Sequence, residues 1–184
     1  WHVNGNIGSD YVSGGDGDDT VFGGQGNDLM YGDVGNDSMS GDLNEDTMFG
    51  GTGNDTLSGG QGEDQMHGGT GNDVLNGGTG NDLLYGDSGN DVFVYNSNSD
   101  IDEIYGFNPD FDVIDLANNI NSTAINTDAE ALAATFDFGA AVVDLGDGHF
   151  IILYGITAAD LDSSNFTFHD EFILLPPVII DLPI

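Results

Sequence analysis

Residues 23–31 read GGQGNDLMY, residues 50–58 GGTGNDTLS and residues 77–85 GGTGNDLLY. The unit is nine residues long and recurs without a slip in register: glycines at 5, 14, 23, 32, 41, 50, 59, 68, 77 and 86 each open one. Position 6 is aspartate in all ten units, at Asp10, Asp19, Asp28, Asp37, Asp46, Asp55, Asp64, Asp73, Asp82 and Asp91. Position 8 is apolar in all ten, at Val12, Val21, Met30, Met39, Met48, Leu57, Met66, Leu75, Leu84 and Phe93. Position 4 is glycine except at Asn44, and position 2 is Gly, Asp or Asn. A fixed period of this kind marks stacked repeats, each of which buries its apolar face only against its neighbours.

The pattern has a backbone reading. A six-residue turn followed by a three-residue strand needs left-handed angles, which glycine adopts cheaply and asparagine next most readily, so Asn44 fits the rule. Side chains alternate across a strand, so position 8 points inward while positions 7 and 9 point out. Two repeats make one coil, and coils stack at the ordinary strand spacing of about 4.8 Å. The fold class expected is all-β: a parallel β-roll, a right-handed β-solenoid with two nonapeptides per coil, closed by a mixed, mostly β C-terminal cap.

Composition narrows the chemistry. The 184 residues include 33 Asp and Glu and no Lys or Arg, a formal net charge of −33. Nucleic acid is excluded as a partner, because phosphate binding needs cations, and anionic membrane surfaces are disfavoured likewise. The chain is 38% apolar and 10% aromatic, too rich for a disordered acidic tail. The counter-charge therefore comes from outside as metal ions. With no cysteine, hard cations with oxygen ligands, calcium above all, are the match. The chain starts at Trp1 and shows no basic leader with an apolar core, so it reads as a mature or excised piece without a cleavable export signal. The apolar run Phe172–Ile184 is too short and proline-broken to span a bilayer, so no membrane insertion is expected.

The nonapeptide resembles GGxGxDxUx, the repeat of the RTX family of calcium-binding β-rolls, over residues 5–94. That resemblance implies that each ion sits between turns two repeats apart. One turn gives the carbonyls of positions 2 and 4 and its aspartate; the next gives the carbonyls of positions 1 and 3 and its aspartate. One such site joins Gly24, Gly26 and Asp28 to Gly41, Leu43 and Asp46. The first two turns contribute Asn6 and Gly8, then Gly15 and Gly17. The middle turns contribute Gly23, Gly24, Gln25 and Gly26; Gly32, Asp33, Val34 and Gly35; Gly41, Asp42, Leu43 and Asn44. They continue with Gly50, Gly51, Thr52 and Gly53; Gly59, Gly60, Gln61 and Gly62; Gly68, Gly69, Thr70 and Gly71. The last two give Gly77 and Thr79, then Gly86 and Ser88. Ten repeats pair in this way to hold about eight Ca²⁺ ions. Asp100, Asp102, Asp110 and Asp112 read as solvated loop acids, with completion of the last two turns as the alternative.

Beyond the repeats, residues 95–170 form the cap and residues 171–184 an apolar tail, either a secretion signal or an assembly strand. Asp102–Phe107 and Asp112–Leu116 read as strands, Thr127–Phe136 as a helix, and Ala140–Leu145 with His149–Tyr154 as a hairpin. Thr157–Leu161 reads as a helical turn and Asn165–Phe168 as a last strand. This order is similar to the C-terminal part of serralysin-type, type I-secreted RTX proteins. On one outward face position 9 places a stripe of rings, Tyr31, Phe49, His67 and Tyr85, whose exposure calls for a cover. The chain's C-terminal half is the first expectation, and self-association or an upstream domain the alternatives. No HExxH, GxSxG or nucleophilic cysteine is present, and no active site is expected. The resemblance implies a non-catalytic, secreted bacterial module that folds on calcium after export. The alternatives are a structural subunit of an extracellular filament, adhesin or surface layer, and the tail of a secreted protease, lipase or epimerase.

Overall fold

The computed structural model describes residues 1–96, 100–117, 135–137, 140–146 and 149–169. Ten six-residue strands follow the repeats: β1 (His2–Ile7), β2 (Tyr11–Asp16), β3 (Thr20–Gln25), β4 (Leu29–Val34), β5 (Ser38–Leu43), β6 (Thr47–Thr52), β7 (Thr56–Gln61), β8 (Gln65–Thr70), β9 (Val74–Thr79) and β10 (Leu83–Ser88). Then come β11 (Val92–Tyr95), β12 (Ile101–Tyr105), β13 (Val113–Ala117), β14 (Thr135–Asp137), β15 (Ala141–Gly146), β16 (His149–Tyr154) and β17 (Phe166–His169). Odd strands pair in one sheet, β1-β3-β5-β7-β9-β11-β13-β17, and even strands begin the other, β2-β4-β6-β8-β10-β12, which continues through β16, β15 and β14. Residues 18 apart are partners, Tyr11 with Leu29 and Met30 with Met48, so one coil is two repeats. The result is the parallel β-solenoid that the periodicity predicts, with about six turns where the repeats alone account for five, because cap strands extend both sheets.

The strands are twice as long as the three-residue stretch expected. Pairing resumes after the position-1 glycine, with Gly24 opposite Asp42 and Gln25 opposite Leu43. The cause is the stacking itself. Once coils lie in register, each turn's peptide groups face their counterparts 18 residues away, and the N–H of Gly35 donates to the carbonyl of Thr52 at 2.9 Å. The turns are therefore part of the ladder, and Gly53 N–H repeats the bond to the carbonyl of Thr70 at 2.8 Å.

All ten position-8 side chains are buried in one core between the sheets, which continues through Ile104, Ile114, Ile151, Leu153 and Phe166. The cap strands thus extend the roll. β12 is parallel to β10, β16 to β12, β13 to β11 and β17 to β13. The expected hairpin is present, β15 running antiparallel to β16, and the expected helical turn is a 3-10 turn at Ala158–Asp160. The expected helix over 127–136 lies mostly outside the described residues, and its last two residues, Thr135 and Phe136, are strand, held antiparallel to β15. The tail expected at 171–184 also lies outside them.

Candidate calcium ladder

Each turn brings its aspartate carboxylate inward beneath the coil before it. The N–H of Asp28 donates to Oδ1 of Asp46 at 2.8 Å, and Asp46 repeats the bond to Asp64. On the opposite edge the same step runs from Asp19 to Asp37, Asp55, Asp73 and Asp91. Nine of the ten repeat aspartates, Asp19 through Asp91, are no more than 3% exposed, and only Asp10 in the first full turn is half-buried. In every repeat aspartate but Asp91 the second oxygen is orphaned: Oδ2 of Asp10, Asp19, Asp28, Asp37, Asp46, Asp55, Asp64, Asp73 and Asp82 is buried with no hydrogen-bond partner. Orphaned carboxylate oxygens in a protein interior carry a large desolvation penalty unless a cation meets them.

The chain's own cations do not meet them. Lys and Arg are absent, and among the described residues only the Trp1 ammonium reaches a ladder carboxylate, that of Asp19. Burial accordingly pushes the acids up, partly offset by the N–H of the preceding coil and reinforced by the neighbouring carboxylates. Asp46 and Asp64 rise to about 7, Asp55 and Asp82 to about 6. Asp91 also rises to about 6 and Asp102 to about 8, while Asp37, Asp73 and Asp112 shift in the same direction.

Backbone oxygens crowd the same places. A Cβ on Gly23 would stand 2.6 Å from Oδ2 of Asp28 and 2.9 Å from the carbonyl of Gly41; on Gly50 it would stand 2.6 Å from Oδ2 of Asp55 and 2.5 Å from the carbonyl of Gly68. The same convergence of own-turn carboxylate and next-coil carbonyl occurs at Gly5, Gly14, Gly32, Gly41, Gly59 and Gly68. Positions 2 and 4 hold left-handed angles. Gly24 and Gly26 have φ of 106° and 124°, and Asn6, Asp33, Asp42 and Asn44 hold 80°, 76°, 73° and 80°. Among the described residues no three His, Cys, Asp or Glu side chains gather at a point, so each cradle offers two carboxylates and otherwise peptide carbonyls. Calcium, with six to eight oxygen ligands in flexible geometry, fits such a donor set.

Two residues read as solvated acids belong to the ladder. The N–H of Asp82 donates to Oδ1 of Asp102 at 2.8 Å and that of Asp91 to Oδ1 of Asp112 at 2.9 Å, and both acceptors are buried. Asp100 and Asp110 are exposed, as expected. The spacing hides the continuation, since these steps span 20 and 21 residues in place of 18. The local pattern gives a signal nonetheless: DEIYG at 102–106 matches DLLYG at 82–86.

On the outer face the expected rings form a stack, and the cap lengthens it. Tyr31, Phe49, His67, Tyr85, Tyr105 and Tyr154 follow one another at 4.3–5.1 Å between centroids, with planes 8–13° apart. The described cap strands lie beside this face in the same sheet, and not across it as the cover expectation had it, because β12 and β16 take the next places in the hydrogen-bonded order.

Turns that stack carboxylates on carbonyls in nonapeptide register define a calcium-binding β-roll. The model of the RTX calcium-binding nonapeptide repeat matches residues 4–39, 40–75 and 67–102, more than half of the chain, and the chain belongs to that family. RTX nonapeptide repeats bind calcium, and such a module is a structural domain that is not itself catalytic. No curated protein matches the chain. Among solved structures, it is similar to the extracellular lipase LipA of Serratia marcescens, at 16% identity and a TM-score of 0.44 over 89% of this chain and 40% of the lipase. It is also similar to the AlgE6R3 subunit of the Azotobacter vinelandii mannuronan C5-epimerase, at 21% identity and a TM-score of 0.30 over 97% of this chain and 90% of that one.

Proposed function

We propose that this chain is a non-catalytic extracellular module of a bacterial protein, exported unfolded by a type I route and folded when calcium fills its turns. The observation that carries this reading is the run of nine buried, orphaned Oδ2 atoms in a chain without Lys or Arg. Without an external cation, stacking these carboxylates opposes folding; with calcium bound to the folded turns, binding free energy becomes folding free energy. The eight repeat pairs, from Asp10–Asp28 to Asp73–Asp91, with the carbonyls of positions 1 to 4 named above, are the residues that would hold the ions. Sites for extracellular calcium bind in the range of about 10⁻⁴–10⁻³ M, so low cytosolic calcium would leave the chain open and the outside would close it. Small-angle scattering tests this: the radius of gyration should fall from about 46 Å in EDTA to about 16 Å, or somewhat more for an elongated roll, in millimolar calcium. An equally compact chain in EDTA would exclude it.

One observation favours assembly as a second reading. The edge strands β1 and β2 carry Ile7 and Tyr11, 79% and 71% exposed, beside peptide groups open to another strand. Light scattering in calcium separates the two, since a strictly monomeric loaded form rules out the filament or surface-layer role.

A further inference from the structure

The two aspartate columns end differently. One runs through Asp10, Asp28, Asp46, Asp64 and Asp82. Its last step inside the repeats joins Asp64 N–H to Asp82 Oδ1 at 2.9 Å and Leu83 N–H to the Asp64 carbonyl at 2.8 Å. The next step keeps both bonds with cap residues: Asp82 N–H to Asp102 Oδ1 at 2.8 Å and Glu103 N–H to the Asp82 carbonyl at 2.9 Å. Asp82 is fully buried, and its Oδ2 is orphaned like those of the eight earlier aspartates. A second orphaned oxygen lies close by. Tyr95 is 1% exposed, its hydroxyl has no hydrogen-bond partner, and it interacts electrostatically with both Asp102 and Asp82.

The other column, ending at Asp73 and Asp91, steps to Asp112. There the protein satisfies both oxygens itself, through the N–H of Asp91 on Oδ1 at 2.9 Å and the N–H of Asn108 on Oδ2 at 2.8 Å. Oδ2 of Asp91 is not among the orphaned atoms. The first column, by contrast, leaves Oδ2 of Asp82 buried without a donor. Beyond these points Ile151 stands opposite Asp102, and the Asn165 side-chain N–H donates to the carbonyl of Asp112 at 3.4 Å, so an apolar residue and an amide take the next places.

We propose that Asp82, Asp102 and Tyr95 form a ninth calcium site at the junction of repeats and cap, with no equivalent at Asp91–Asp112. Two carboxylates and a neutral phenol oxygen, all buried, suit a hard divalent cation. Filling this site ties β12, and through it β16, to the last repeat, so that the cap orders together with the ladder. The proposal rests on the calcium reading of the repeats.

Native mass spectrometry of the calcium-saturated full chain counts the ions. Nine are expected for the wild type, eight for Asp102→Asn and nine for Asp112→Asn. A wild-type count of eight, or equal counts for the wild type and Asp102→Asn, overturns the ninth site alone, whereas a wild type that holds no calcium overturns the ladder reading as well. Terbium gives a readout that does not depend on the stability of the Asp102 variant. Tyr95→Phe keeps the buried ring, and it should lower tyrosine-sensitised Tb³⁺ emission at saturation; unchanged emission overturns the site.

Discussion

Tyr85 stacks face to face on Tyr105, with centroids 5.1 Å apart and planes 13° from parallel, although only Tyr85 belongs to the repeats. Parallel pairing puts identical positions one strand spacing apart, close to the optimum for stacked rings, so the faces of the inner rings are taken up by their neighbours. The stripe is a spine of the roll before it is a surface for anything else.

Phe49 sits inside that spine, between Tyr31 at 5.1 Å and His67 at 5.0 Å. Phe49→Ala removes two stacked contacts and should lower stability by about 1–3 kcal/mol at saturating calcium. Denaturant unfolding of the calcium-loaded form measures this, and a change near zero would show that the stack adds nothing.

Glycine at position 4 meets a limit set by the coil above it. Gly53 holds φ of 128°, and a Cβ there would run into the carbonyl of Gly35, whereas Gly17, at φ of 111°, has nothing within 4 Å. Both Gly53→Ala and Gly17→Ala suffer the backbone strain, but only the first also meets a clash. Gly53→Ala should cost well over about 1 kcal/mol and more than Gly17→Ala. Equal midpoints for calcium-induced folding would contradict the close stacking of the turns.

Asp64→Asn should act with opposite signs in the two states. Asparagine keeps an acceptor for the N–H of Asp46, bonded at 2.8 Å, while it removes a buried charge. Without calcium the variant should show more strand signal than the wild type, because one buried charge fewer opposes folding. With calcium, the adjacent sites should weaken on the order of tenfold or more, at least the effect of losing an outer-shell partner. Calcium titrations followed by circular dichroism, with an EDTA arm, report both signs.

Protons should substitute weakly for calcium. The buried aspartates have folded-state pKa values raised from 3.8, to about 6 at Asp55, Asp82 and Asp91, about 7 at Asp46 and Asp64, and about 8 at Asp102. For a group raised on folding, the stabilising contribution is fully present below the unfolded pKa and is lost as pH rises through the folded one. Metal-free chain should therefore gain strand signal on acidification from pH 8 to pH 5. In calcium the trend reverses in affinity, because protons compete for the ligands, and the calcium midpoint should rise over the same interval. A strand signal in EDTA that stays flat between pH 8 and pH 5 would count against buried, charged aspartates as the barrier to folding.

Much of this was legible in the sequence because the repeat states its own register. Asp28 and Asp46, or Met30 and Met48, stand 18 residues apart, and alternation along a strand then assigns one to the turn and the other to the core. What escaped depends on partners that a single repeat does not contain. The strand character of Gly24 and Gln25 arises only when another coil lies in register beside them. Asp102 and Asp112 were hidden because two and three extra residues break the period just where the cap begins, and an acid out of register looks like any surface acid. Tyr105 and Tyr154 joined the ring stack through the pairing of β12 and β16, although each shares with Tyr31 and Tyr85 the following glycine.

The central claim is that external calcium neutralises the ladder and thereby folds the chain. Far-ultraviolet circular dichroism of the full chain, at pH 7.5 and titrated with calcium from an EDTA-treated start, tests it most directly. A cooperative gain of strand signal that saturates in the millimolar range and reverses with EDTA is the predicted result. The same strand spectrum before and after calcium would contradict it.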